Sequence, residues 1–201
     1  MTTDKALRRT PTATVVGDLV RVLAAAAVPV GTVLYGPVAT ALLALVLLGT
    51  VIPRAIGLRG VVDPAVGLVL SVAAWIALLD LYARVPWLDL AMHLAATAAL
   101  TVLATALLVF LGALRVPGPL VAPVVRGDPL PSTDLRRPRL GSVVAATGLG
   151  VLLALLWEVG EWAGSTYVDP AIQVGYRDTL GDLVAGGVGA FVAGLFLVRS
   201  P

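Results

Sequence analysis

The chain has 201 residues, 59% of them hydrophobic and only 13% charged, with a formal net charge of +2. Soluble domains carry about a quarter charged residues, so this composition excludes an ordinary soluble globular protein. Cysteine is absent, which excludes disulfides and thiolate metal sites.

The apolar residues fall into blocks long enough to cross a bilayer, which takes about 20 helical residues per span. They predict one all-α, polytopic transmembrane bundle of about six spans over residues 1–201, with no second soluble domain. The first span is expected from about Thr14 to Tyr35, with Asp18, Arg21 and Pro29 inside it. Lys5, Arg8 and Arg9 before an alanine-rich stretch also fit a cleaved signal peptide, but Asp18 and Arg21 interrupt the apolar run such a segment needs. Gly36-Pro37 marks a turn, and a short second span follows over 38–52. A third, over 61–81, comes after a basic turn with Arg54 and Arg59; Asp63-Pro64 opens it, with Asp63 as the expected N-cap. The fourth span is expected over 88–111, the fifth over 142–164 and the sixth over 179–198. Between the fourth and fifth, residues 115–139 are rich in Pro and Arg and read as a cytoplasmic loop.

Basic residues flanking the spans set the orientation. One side collects Lys5, Arg8, Arg9, Arg54, Arg59, Arg115, Arg126, Arg136, Arg137, Arg139 and Arg199, the other only Arg84 and Arg177. This asymmetry places both termini in the cytoplasm of a multi-pass inner (plasma) membrane protein. Tyr82, Trp87, Trp162 and Tyr167 fall at the outer ends, where interfacial aromatics belong.

With that topology the acidic residues become informative. Asp89 and His93 start the fourth helix, Glu158 and Glu161 lie near the end of the fifth, and Asp178 and Asp182 start the sixth. Each pair is three or four residues apart and so shares a helix face. All six stand at one membrane level on the outer side, and His93 is the chain's only histidine. Below them run small or polar ladders: Thr97, Thr101 and Thr105; Ala154 and Gly150; Gly186, Ala190 and Gly194. Membrane helices pack through such faces, so the acids should line the mouth of a three-helix interface.

Ionisable groups inside spans are costly and usually bind something. Five carboxylates and one imidazole are mainly hard ligands, suited to Mg²⁺, Mn²⁺ or Ca²⁺, while the nitrogen also admits Zn²⁺ or Fe²⁺. A divalent metal held by Asp89, His93, Glu158, Glu161, Asp178 and Asp182 is therefore the expected cofactor. Simpler readings exist: Asp89 and Asp178 as helix N-caps, ion pairing with Arg84 and Arg177, or protons shared between paired acids. Glu158 and Glu161 resist the first, because a helix C-terminus disfavours negative charge. No G-x-S-x-G, Walker, Rossmann or H-E-x-x-H pattern occurs. No aromatic-interleaved basic surface points to nucleic acid, and the basic connection suits anionic lipid instead.

The strings Asp89-x-x-x-His93, Trp157-Glu158-Val159-Gly160-Glu161-Trp162 and Gly175-Tyr176-Arg177-Asp178-Thr179-x-x-Asp182 resemble the YjdF-like family of bacterial inner-membrane proteins. The likeness covers mainly 88–195, with Leu94 and Arg177 standing where that family has aromatic residues. A looser similarity to VanZ-like proteins lies in the order of D-x-x-x-H, acid and D-x-x-x-D. The resemblance implies a polytopic bacterial membrane protein and supports the six positions without naming a reaction.

Three functions fit this sequence. One is a membrane-embedded, metal-dependent enzyme acting on a lipid or lipid-linked envelope substrate, with His93 or Glu161 as base and Arg177 on an anionic headgroup. Another is an ion- or proton-coupled transporter, weakened by the lack of an inverted repeat. A structural membrane protein is the third.

Overall fold

The structure is a computed structural model that describes residues 11–58, 60–114, 138–170, 172 and 174–199. Lys5, Arg8, Arg9, Arg59, Arg115, Arg126, Arg136, Arg137 and nearly all of the 115–139 connection, on which the orientation reading leans, lie outside the described residues. Every regular element described is a helix: α1 (Pro11–Ala55), α2 (Val62–Leu78), α3 (Leu81–Arg84), α4 (Pro86–Phe110), α5 (Pro138–Tyr167) and α6 (Tyr176–Arg199).

Continuous helix over α1 would run about 67 Å at 1.5 Å per residue, but the chain reverses at Gly36. That residue has φ 81° and ψ −165°, a conformation only glycine adopts without strain. Pro37 then pre-sets the first turn of the next helical stretch. The result is a hairpin of two antiparallel arms, 11–35 and 37–55. Thr32 Oγ1 stands 2.7 Å from Thr40 Oγ1 near the bend, and Arg21 reaches the Thr50 carbonyl at 3.2 Å near the open end. The sequence placed this turn correctly; the second arm extends past the expected end at residue 52.

The expected span over 61–81 divides. α2 stops at Leu78, Asp80 takes a left-handed conformation (φ 54°), and α3 is a single turn leading into α4. At 17 residues α2 rises about 25 Å, short of the roughly 30 Å hydrocarbon core. Asp63 is not the N-cap: Val61 holds that position, no side chain caps the helix, and Asp63 is buried within it.

α1 packs against α2, α2 against α4, and α6 against both α4 and α5. Leu43, Val46, Val66, Leu70, Ala74, Leu103 and Ala106 fill the core between α1, α2 and α4. The α4–α5–α6 seam is built differently, from small residues. Thr101, Thr105 and Ala190 are fully enclosed in it. A Cβ added to Gly189 would fall on the Leu94 carbonyl, and one on Gly150 would meet Thr101 Oγ1 and Ala190 Cβ. Backbones approach this closely only where side chains are absent or tiny.

The outer surface is apolar to an extent soluble proteins avoid. Val33 is 83% exposed, and Leu23, Val144, Leu156 and Val184 are also bare. α1, α4, α5 and α6 are each long and apolar enough to cross a membrane. The fold is a polytopic helical membrane bundle.

Candidate metal centre

α4 starts with Pro86 after the non-helical Val85, a placement that costs no backbone hydrogen bond. Its first turns carry Asp89 and His93 on one face. α5 brings Glu158 and Glu161 from its last turns, and α6 brings Asp182 from its second. One helical turn away along each helix lie Thr97, Ala154 and Gly186. A Cβ on Gly186 would stand 3.0 Å from both Ala154 Cβ and Thr97 Oγ1, so the three helices touch there. Stepping four residues back from each contact gives His93, Glu158 and Asp182, which therefore meet at one level.

The imidazole of His93 is the centre of the group. Its Nε2 lies 3.5 Å from Asp89 Oδ1 and 3.9 Å from Asp182 Oδ1. Its Nδ1 lies 3.6 Å from Glu158 Oε1. Asp89, His93 and Asp182 can offer ligand atoms within 4.8 Å of one another, and so can His93, Glu158 and Glu161. Trp157 packs its ring edge-on to His93, with centroids 6.2 Å apart, and its indole N–H donates to Glu161 Oε1 at 2.8 Å. The Thr179 hydroxyl donates to the Glu158 carboxylate. On α3, Tyr82 donates to the Ala73 carbonyl at 3.3 Å. Burial, then the negative charge of Asp89 and Glu161, pushes the Tyr82 ionisation up, so the phenol keeps its proton.

Two oxygens of this group have no hydrogen-bond partner: Glu158 Oε1 and Asp182 Oδ1. Glu158 is 7% exposed and Asp182 2%. Buried polar atoms almost always find a partner, and unpaired buried carboxylates cost more than neutral groups. The separations from His93 exceed the roughly 3.2 Å reach of an N–H···O bond. They are close to the roughly 3–3.5 Å between two ligands that each lie about 2.0–2.2 Å from one ion. The donor set, oxygens plus one imidazole, fits a divalent cation.

Of the six residues read from the sequence, the structure gathers Asp89, His93, Glu158, Glu161 and Asp182. Asp178 shares the Asp182 face one turn nearer the helix start, but it is exposed. It lines a rim cavity of about 490 Å³ with Ser165, Pro170, Ile172, Val174 and Gly175. Arg177 is also exposed at this rim. Among the described residues neither Arg84 nor Arg177 makes an ion pair with the cluster. Asp89 is not a cap, since Val85 holds that position and no side chain caps α4; Asp178 lies within the first turn of α6, past its N-cap position.

A second charged group escaped the sequence reading. Arg21 Nη1 donates to Asp63 Oδ1 at 2.8 Å, and Nη2 donates to Asp63 Oδ2 at 3.2 Å and to Asp18 Oδ1 at 2.8 Å. Arg54 Nε approaches Asp18 at 3.5 Å. Gly17 makes room, since a Cβ there would stand 2.8 Å from Asp63 Oδ2. The available signal was Arg21 itself, because an arginine within an apolar span demands a partner. This network lies where α2 begins; α2 ends beside α3, which leads to the His93 end of α4. The two charged groups thus occupy opposite ends of the bundle.

A membrane bundle with a buried carboxylate–histidine cluster at one end of a tight three-helix seam is the class these features define. The chain belongs to the DUF2238 family of predicted membrane proteins, whose profile matches residues 13–200. Neither a curated protein nor a solved structure matches it.

Proposed function

We propose that the chain is a plasma-membrane enzyme that holds a divalent cation between α4, α5 and α6 on the outer face and acts on a lipid or lipid-linked substrate. The observation that carries this reading is the pair of buried, unpartnered oxygens, Glu158 Oε1 and Asp182 Oδ1, facing His93. Asp89, His93, Glu158 and Asp182 would be ligands, with Glu161 beside them and Asp178 an outer carboxylate at the entrance. When bound, such a cation polarises a phosphoryl or carbonyl oxygen or activates water. Glu161 is the better base of the two candidates. Both nitrogens of His93 already face carboxylates, whereas one Glu161 oxygen is held by Trp157 and the other is left for a proton. Arg177, exposed on the rim, suits an anionic headgroup arriving from the lipid surface. The likeness of this segment to YjdF-like proteins belongs to the same reading.

Transport fits less well. The seam beyond the cluster is closed by Thr101, Gly150 and Ala190, and the charged network at the other end sits on α1 and α2 rather than on the same helices. A site closed on its inner side fits catalysis or binding better than passage.

The reading is tested on purified protein in nanodiscs made from bacterial lipid extract, with Mn²⁺, Mg²⁺ or Zn²⁺ supplied in turn. The expected result is metal retained through desalting together with metal-dependent conversion of one lipid component, followed by mass spectrometry. Lipid conversion should fall at least tenfold in Glu158→Gln, which keeps shape and removes the ligand charge, and the metal content should fall with it. Protein that retains no divalent metal would end the metal reading. Metal retention without lipid conversion would end the enzyme reading.

Orientation has its own check. Reporter fusions after Arg84 and Asp169 should read external, and those after Arg59 and Gly112 cytoplasmic. The reverse pattern would put the cluster on the cytoplasmic face.

A further inference from the structure

We infer that the cluster is built for two cations, one on each edge of the His93 ring, with the imidazole as their shared ligand; this rests on the metal reading above. The two ring nitrogens address different carboxylates. Nε2 faces Asp89 and Asp182, at 3.5 and 3.9 Å, whereas Nδ1 faces Glu158 at 3.6 Å, with Glu161 beside it. Once the ring gives up its N–H proton to bulk water and becomes an imidazolate, each nitrogen has one lone pair in the ring plane, and a single ion can take only one of them. The two ligand sets have only His93 in common, and the shortest contacts put Asp89 and Asp182 on one ring edge and Glu158 on the other.

Each edge also has its own orphan. Asp182 Oδ1 is unpartnered on the Nε2 side, and Glu158 Oε1 is unpartnered on the Nδ1 side. One ion on either edge would leave the other buried oxygen as it stands. Charge points the same way. Asp89, Glu158, Glu161 and Asp182 bring four negative charges when ionised, Asp178 stands close enough to act on all four, and among the described residues no Lys or Arg pairs with the cluster. A single divalent ion leaves most of the negative charge of such a site uncompensated, and a second reduces it further. Uncompensated like charges in a poorly solvated site repel strongly. With metal–nitrogen bonds of about 2.0–2.1 Å, ions on opposite edges of an imidazole stand about 6 Å apart. That is wider than the roughly 3.5–4 Å of carboxylate- or oxide-bridged pairs, so each ion would keep its own open position.

The test is metal stoichiometry on the full chain in detergent, loaded with Mn²⁺, desalted and measured by elemental analysis against quantitative amino-acid analysis. Wild type should hold two ions per chain. Asp182→Asn should keep the Glu158 edge and hold one, and Glu158→Gln should keep the Asp182 edge and hold one. His93→Gln should hold fewer than one. Electron paramagnetic resonance of the loaded wild type should show six-line Mn²⁺ spectra broadened by a second ion nearby, sharpening in either single-edge variant. The wild-type count and spectrum decide the matter even if a variant fails to fold. One ion per chain with an unbroadened spectrum overturns the two-ion centre and leaves the metal reading standing. No bound ion overturns both.

Discussion

Arg21→Met is expected to destabilise the detergent-solubilised protein by about 3–5 kcal/mol, the usual cost of stripping one partner from a buried ion pair. Arg21 and Asp63 make a two-pronged contact, and their side chains are only 13% and 7% exposed. The substitution leaves the Asp63 carboxylate enclosed among α1 and α2 with no counter-charge. Asp63→Leu should be costly for the mirror-image reason. The double variant should recover most of the loss, because two apolar side chains of similar volume remove both desolvation penalties. Asp18→Asn should hardly register, since Asp18 is half exposed and its ion pairs are surface contacts. Thermal unfolding of the four variants closes the cycle. Additive losses in the double variant would mean that the pair does not act as a unit. The contact has an architectural use: it fixes the open end of the α1 hairpin to the start of α2, whose short length gives it little hold of its own.

That contact also marks where the sequence stopped being legible. Asp63-Pro64 carries a local signal, an acid and a proline at a helix start, and it reads as a cap. The actual partner is Arg21, 42 residues away, and no local pattern encodes a pairing at that distance. Asp80 was overlooked for a related reason: a left-handed residue is a backbone decision made by the α2–α3 corner. What was legible depended on fixed periodicities. Gly36-Pro37 announces a reversal because glycine alone takes that conformation and proline alone is pre-set for the next turn. Asp89 with His93, and Glu158 with Glu161, declare a shared face because the helix repeats every 3.6 residues. The ladders of Thr97, Ala154 and Gly186 declare contact because small residues are of little use toward lipid. Asp178 and Asp182 look equivalent by periodicity alone. They differ because α6 begins at Tyr176, which leaves Asp178 in the exposed first turn while Asp182 enters the seam.

Gly189→Ala is expected to lower stability by about 1–3 kcal/mol, as overpacking of a tight interface does, and to weaken metal retention along with it. The methyl group would land on the Leu94 carbonyl, a backbone atom that cannot swing aside as a side-chain end could. Relief comes only from moving α6 away from α4. Leu94 follows His93 directly, and Gly189 lies two turns from Asp182, so the same movement lengthens the His93–Asp182 separation. A ligand pair already 3.9 Å apart has little slack before one ion can no longer satisfy both. Gly148→Ala is the control on α5: nothing lies within 4 Å of a Cβ there, and alanine is favoured over glycine inside a helix by about 1 kcal/mol. That variant should match or exceed wild type in melting temperature and keep its full metal content. Unchanged melting and metal content in Gly189→Ala would show that α4 and α6 are not in backbone contact, and the cluster would lose the rigid seam that holds His93 against Asp182.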